Sequence, residues 1–452
     1  MNTLNLFRSL KNPVFARLYV AQTTSLLGDA LTWVGLALLA FEIAGKNSAV
    51  VLSGALTLRV SAFVLLSPLA GAIADRYDRK RIMVITHLMR MAIVSLLPFV
   101  TQIWQIYVLI LALNLFNAFF TPTYQATIPS VTGQAEYPQA IALSSATYQL
   151  LGVLGPGLAG SVAAFIGTRQ VFFLDALSFL VAAVLILTLP GQLRAAQNQP
   201  IKTAGRTWRD IKEGTTRLLS DPLIRYTLAM QLVASVAGAQ ILVNTVGYVQ
   251  GTLNLGNQQY GWVMAAFGIG ATLASVAFGT LNQRLTRATF ALIGAVLTTV
   301  ALLPANYASL APLMMLWLIA GVGQTWVDLP AQTLIADRIP EEMQGRVYGA
   351  HFAWSHLWWA FSYPLAGWLG SYFPHSSFLY SGLIGLTLLA AVQFKLSPNE
   401  SEAIPEVLWH DHEHVHDPYH QHDHHPGILV SNPHTHPHKH TSLAGLHPEI
   451  GS

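Results

Sequence analysis

The chain has 452 residues and no cysteine, and 53% of it is hydrophobic against 10% charged. A water-soluble protein carries about 25% Asp, Glu, Lys and Arg, so a large soluble enzyme is excluded and a polytopic helical membrane protein is expected. The formal charge of +3 averages two regions: residues 1–400 carry 23 Lys and Arg against 14 Asp and Glu, whereas 401–452 carry one Lys, seven acids and 13 of the 17 histidines.

In chain order, twelve apolar runs are long enough to cross a bilayer: 15–44, 49–74, 82–100, 104–128, 140–166, 171–190, 223–249, 260–281, 288–304, 308–335, 346–370 and 376–396. The first run carries Asp29 in Ser25-Leu-Leu-Gly28-Asp29-Ala30, and the second carries Arg59 about halfway along. An ionisable group at membrane depth is a functional candidate by default. Asp29 therefore reads either as a protonatable carrier of coupling or as a charge neutralised by Arg59. His87 and Arg90, in the third run, read as close enough to the interface to snorkel. Asn114 and Asn117 read as bonding to neighbouring helices.

Asp328, beside Gln324 and near Pro330, reads as lining a vestibule or bonding between helices. His351 and His356 are five positions apart, roughly 140° around a helix, so they form no one-face chelate and read as packed, hydrogen-bonded histidines or transport candidates. Nineteen Lys and Arg collect in the loops on the side of the N-terminus, against only Lys46 and Arg169 on the other, which predicts that both termini are cytoplasmic. The polar stretch 191–222 falls midway and reads as a cytoplasmic linker between an N-terminal half, 1–190, and a C-terminal half, 223–396. Three matches share an offset of 208 residues: Gly71-Ala-Ile-Ala-Asp-Arg76 with Gly279-Thr-Leu-Asn-Gln-Arg284, Pro122 with Pro330, and Pro156 with Pro364. A duplicated parallel repeat follows.

The segment Gly71-Ala-Ile-Ala-Asp75-Arg76-Tyr-Asp78-Arg79-Lys80-Arg81 resembles the signature loop between the second and third helices of the major facilitator superfamily, with Asp78 where glycine is usual. The resemblance implies an all-α integral membrane protein with twelve transmembrane helices in two six-helix halves. It also implies that Gly71, Asp75, Arg76 and Arg79 latch the cytoplasmic ends of the halves together. Gly152-Val-Leu-Gly155-Pro156-Gly157-Leu-Ala-Gly160 resembles the motif of the superfamily's exporting branches, where small residues let helices approach closely. Pro340-Glu-Glu-Met-Gln-Gly345-Arg346 is similar to its drug-exporter-like group.

The C-terminal segment 397–452 reads as a disordered cytoplasmic tail. Its histidines at 410, 412, 414, 416, 420, 422, 424 and 425 (His410, His412, His414, His416, His420, His422, His424, His425) are interleaved with acids, and His434, His436, His438 and His440 form a second cluster. Neutral imidazole beside carboxylate suits Ni²⁺, Co²⁺, Zn²⁺ or Cu²⁺, so the tail is expected to bind divalent metal. A facilitator bundle ending in such a tail resembles the NreB/NrsD-type nickel-resistance exporters of bacteria. That resemblance implies proton-coupled export of Ni²⁺, and of Co²⁺ as well, across a bacterial inner membrane, with metal ions, protons and lipid as partners. Two other readings stand beside it: a drug or siderophore exporter whose tail buffers metal or regulates, and a non-transporting metal sensor or store. No phosphate-binding glycine loop is present to drive transport by ATP hydrolysis, and nothing in the sequence suggests an enzyme, a resident cofactor or nucleic-acid binding.

Overall fold

A computed structural model describes residues 9–191, 204–281, 284–339 and 341–397, together with two strands at 408–414 and 434–440. Residues 1–397 form one compact unit and 398–452 a second. The first unit is all helix: α1 (Pro13–Ala44), α2 (Ser48–Arg76), α3 (Arg79–Val94), α4 (Ile103–Ile166), α5 (Val171–Leu187), α6 (Ala204–Ser220), α7 (Pro222–Val246), α8 (Asn257–Leu281), α9 (Arg287–Leu302), α10 (Leu310–Arg338), α11 (Glu341–Tyr372) and α12 (Ser377–Leu396).

Helix starts are written locally. Asn12 caps α1 by accepting from the amides of Val14 and Phe15 at 3.0 and 3.2 Å, with Pro13 following where a missing N–H costs nothing. Asp78 does the same for α3 through the Lys80 amide at 3.0 Å, so the acid that replaces the usual glycine acts as a cap. Asp221 caps α7 and also accepts from Arg338 Nη1 at 3.2 Å, tying the start of α7 to the end of α10. At Gly167 the chain leaves α4 with φ +100°, a conformation that a side chain resists.

Helix α4 is one element of 64 residues despite four prolines, Pro122, Pro129, Pro138 and Pro156, where two separate spans, 104–128 and 140–166, were expected. It nevertheless folds back: Tyr124 Oη and Ser144 Oγ lie 3.4 Å apart, whereas a straight helix would hold residues 20 apart about 30 Å away from each other. Counting its limbs separately, α1–α5 and α7–α12 make twelve passes, the fold class the sequence implies. The third pass is also corrected at its end, for α3 stops at Val94 and a 3₁₀ turn, Leu97–Phe99, completes it. The 191–222 linker contains α6, joined to α11 by an Arg346–Glu213 ion pair at 3.1 Å.

The repeat extends to element boundaries. Helix α9 begins 208 residues after α3, and the 3₁₀ turn Ala305–Tyr307 follows Leu97–Phe99 at the same distance.

The two sets of helices meet closely at the end away from the chain termini. A Cβ on Gly160 in α4 would overlap the Cα of Gly261 in α8, and one on Gly261 would lie 2.7 Å from the Gly160 Cα. A Cβ on Gly367 in α11 would overlap the Ser53 hydroxyl in α2, and Asn257 donates to the Thr168 hydroxyl at 3.0 Å. Small residues are what allow two helix backbones to touch here. In the second unit, strands β1 (Leu408–His414) and β2 (His434–His440) pair antiparallel, with His410 opposite His438, His412 opposite His436 and His414 opposite His434.

Candidate functional site

Three polar groupings lie within the apolar bundle. The first joins α1, α3 and α5. Arg90 of α3, 1% exposed, donates through Nη2 to both carboxylate oxygens of Asp29 at 2.7 and 2.9 Å, and Asp29 keeps 22% of its side chain exposed. Beside them Asp175 of α5 is fully buried and accepts from the Thr32 hydroxyl and, at 3.0 Å, from the Ser178 hydroxyl. The Arg90 guanidinium lies 4.1 Å from the Phe179 ring centre and 5.7 Å from that of Phe120, a cation–π setting in which its Nε and Nη1 have no hydrogen-bond partner among the described residues. His87 is also fully buried, its ring 4.5 Å from Phe120, with neither nitrogen bonded among the described residues. Gly28 is required here, because a Cβ would overlap both Asp175 and Ser178.

Two expectations are corrected by this cluster. Asp29 pairs with Arg90, not with Arg59; and neither His87 nor Arg90 snorkels, since Arg90 lies eleven residues, about 16 Å of rise, from the start of α3. Asp175 and its hydroxyl donors were not anticipated, although an acid inside the apolar run Val171–Leu187 is the signal that flags such a residue.

The second grouping joins α7, α10 and α11. Gln231 and Gln324 donate to the two oxygens of Asp328 at 3.0 and 3.1 Å, and His351 donates through Nε2 to the Gln231 carbonyl oxygen at 2.9 Å. Asp328 is therefore an interhelical acceptor. His356 lies apart from this chain of bonds: its Nδ1 donates to the Phe352 carbonyl at 2.8 Å and its ring stacks on Phe352 at 3.8 Å. Asn114 bonds to the Ile110 carbonyl of its own helix at 2.8 Å instead of reaching a neighbour, and leaves its Oδ1 unsatisfied.

The third grouping sits between the helix sets. Arg59 of α2 stacks over Trp33 of α1, 4.2 Å from the ring centre, and among the described residues it forms no salt bridge. On α11, which packs against α2, Trp359 stands 5.4 Å from Tyr363 and closes over Gly238, whose Cβ would lie 2.7 Å from the Trp359 ring and 2.9 Å from the Gln324 side-chain oxygen. Arg59 is thus a cation stacked on one aromatic ring, on a helix that adjoins another aromatic pair.

Of the latch residues, Arg79 donates to the Ala126 carbonyl at 2.7 Å and the Ser130 hydroxyl at 3.2 Å on α4. The side chains of Gly71, Asp75 and Arg76 fall outside the described residues. In the exporter-like motif, Gly155 packs against Ala30, 2.6 Å from an added Cβ, and Gly160 makes the Gly261 contact. The side chains of Gly152 and Pro156 are outside the described set, as are those of the tail histidines, with His416, His420, His422, His424 and His425 lying beyond the strands altogether. Among the described residues no three His, Asp or Glu converge as a metal site.

Comparison with known proteins follows the helical part of the chain. Residues 5–412 match the family described as transmembrane secretion effector. The MFS-type transporter YfiS of Bacillus subtilis is 29% identical over 76% of this chain and 83% of its own length. The multidrug efflux pump Tap of Mycolicibacterium fortuitum is 24% identical over 75% and 84%, and the enterobactin exporter EntS of Citrobacter koseri 26% identical over 85% and 93%. The crystal structure of the nucleoside transporter NupG superposes with a TM-score of 0.68 at 12% identity, covering 85% of this chain and all of that one. These relatives overturn the expectation of a nickel exporter, for those with a stated cargo export drugs or a siderophore.

Proposed function

Because the chain belongs to the transmembrane secretion effector family of major facilitator transporters, we propose that it exports small organic molecules, drugs or siderophores, from the cytoplasm across a bacterial inner membrane. Proton entry drives the cycle, as no nucleotide-binding loop is present in the sequence. Both termini lie in the cytoplasm by the bias of 19 basic residues to two. Residues 1–190 and 223–396 act as two six-helix halves joined by 191–222. The observation that carries the substrate class is the Arg59–Trp33 stack, with Trp359 and Tyr363 on α11, the helix packed against α2. It suits a planar aromatic molecule bearing negative charge, as a catecholate does, through charge and ring stacking together.

The test is transport into everted vesicles under an imposed proton gradient, with an iron-free catecholate siderophore and a lipophilic dye as cargo. Accumulation of either is expected; a protein that moves neither overturns the reading. Arg59→Gln is expected to lower catecholate transport about 10- to 100-fold, the worth of one charge-assisted contact, while sparing a neutral dye.

The tail's interleaved imidazoles and carboxylates bind divalent metal as a buffer or regulator, separate from the cargo path. Truncation after Pro405 is expected to abolish Ni²⁺ and Zn²⁺ binding in a titration of the purified protein and to leave organic export within about twofold of the full chain. Equal metal binding with and without the tail would place it elsewhere.

A further inference from the structure

We propose that Asp175, not the more exposed Asp29, stores the coupling proton, and that Arg90 is a single guanidinium which the two carboxylates exchange. The idea rests on the proton-driven reading above. The starting point is a charge count in a dry place. Two carboxylates and one guanidinium lie within electrostatic reach of one another, so the trio is short of one positive charge. Burying a net charge in the bundle is costly, and one bound proton removes the deficit.

Geometry decides which acid holds it. Asp29 has both oxygens on Arg90 Nη2 and is partly exposed, so it is the ionised partner. Asp175 is fully buried and, among the described residues, receives two neutral hydroxyls, Thr32 and Ser178. The other groups facing it are His87 and Arg90 from α3 and Asp29 from α1, with Phe179 on its own helix and Phe120 of α4 completing the wall around the guanidinium.

Arg90 is also incompletely used. Its Nε and Nη1 are buried and, among the described residues, unbonded, and it already rests on the Phe179 ring of α5, so it has spare donors with which to turn toward α5 once it gives up Asp29. The exchange is balanced. In this state Asp175 carries the proton and Asp29 pairs with Arg90; in the other, Asp29 carries the proton and Arg90 pairs with Asp175. The proton passes from one carboxylate to the other as Arg90 crosses the opposite way, and it is released from and regained by Asp29, the partly exposed member. Because α1, α3 and α5 are pinned by this trio, passing Arg90 from α1 to α5 changes how these helices hold one another. That is a way to couple protonation to movement of the half.

Infrared spectroscopy of the purified full-length protein in detergent tests this without any cargo. At pH 7 the wild type is expected to show the carbonyl stretch of a neutral carboxylic acid, and Asp175→Asn is expected to lose that component. Asp29→Asn is expected to lose it too, because Arg90, freed from α1, turns to Asp175 and ionises it; Arg90→Met together with Asp29→Asn restores it. A component that survives in Asp175→Asn, or that is unmoved in Asp29→Asn, overturns the proposal. The Asp29→Asn arm leaves the packed residue untouched, so exchange remains testable if Asp175→Asn fails to fold. In proteoliposomes, Asp175→Asn is expected to lose proton-driven uphill transport to background while retaining downhill exchange of cargo, and retained uphill transport counts against the proposal. If the wild type moves no cargo offered, the substrate reading fails and the infrared result still stands.

Discussion

Arg90→Met is expected to be the most destabilising conservative-volume change in the N-terminal half, and Asp29→Asn a milder one. Arg90 is 1% exposed, and its Nη2 bonds both oxygens of Asp29. Removing one partner of a buried ion pair costs about 3–5 kcal/mol, because the charge left behind has lost its compensation. Asp29 is partly exposed, so the cost falls at the lower end of that range. The converse change strands a cation that has a second acid nearby, Asp175, and two unbonded N–H groups with which to reach it. The double substitution removes both charges and is expected to recover most of the stability, since an apolar replacement of a buried pair is often neutral. Thermal unfolding of the four proteins in detergent gives the cycle, with a coupling energy of about 1–3 kcal/mol expected. Additive losses would show that the 2.7 Å contact carries no net interaction.

Gly160→Leu is expected to remove most transport without unfolding the protein. A side chain at this position overlaps the backbone of Gly261, and backbone cannot swing aside as a flexible side chain does. Overpacking costs about 1–3 kcal/mol, and the whole of it falls on the state in which α4 and α8 touch. The population of that state therefore drops about 5- to 150-fold relative to one with the helices parted. The absence of any cysteine makes the effect directly readable. Ser53→Cys lies under Gly367 at the same end, buried in this state. A membrane-impermeant maleimide is expected to label it slowly in the otherwise native protein and quickly when Gly160→Leu is added. Equal labelling in both would mean that the contact does not govern opening.

The helical fold was legible because bilayer thickness forces long apolar runs, and because duplication left the same proline and loop positions 208 residues apart. The α4 reversal was legible as the gap between the expected spans 104–128 and 140–166, where Pro129, Gly133 and Pro138 fall; that the chain keeps helical geometry through the turn was not. Rotation about each helix axis was the main thing hidden. Arg59 was placed against Asp29, one turn short of its actual partner Trp33, four residues further along α1 on the same face. Arg90 was assigned to the interface by its nearness in sequence to Arg79 and Arg81, although eleven residues of helix carry it too deep for its side chain to return. The tail misled for a different reason. Its imidazoles speak of metal, but it belongs to a separate unit of the chain, and its chemistry says nothing of what the bundle carries.

The 208-residue offset makes the two halves comparable position by position, and they prove unequal. Carried across, Asp29 falls on Ala237 and Arg90 on Thr298, which bonds only to carbonyls of α9 and α10. In the other direction Asp328 falls on Phe120, the ring beside Arg90 and His87, and His351 falls on Leu143. One backbone plan thus recurs, with an ion pair beside a second carboxylate on one side and, on the other, a single carboxylate, Asp328, held by two glutamines and linked through Gln231 to His351. On the proposed exchange, energy enters through α1, α3 and α5, since the C-terminal half carries no counterpart of Asp29 or Arg90 at the matching positions.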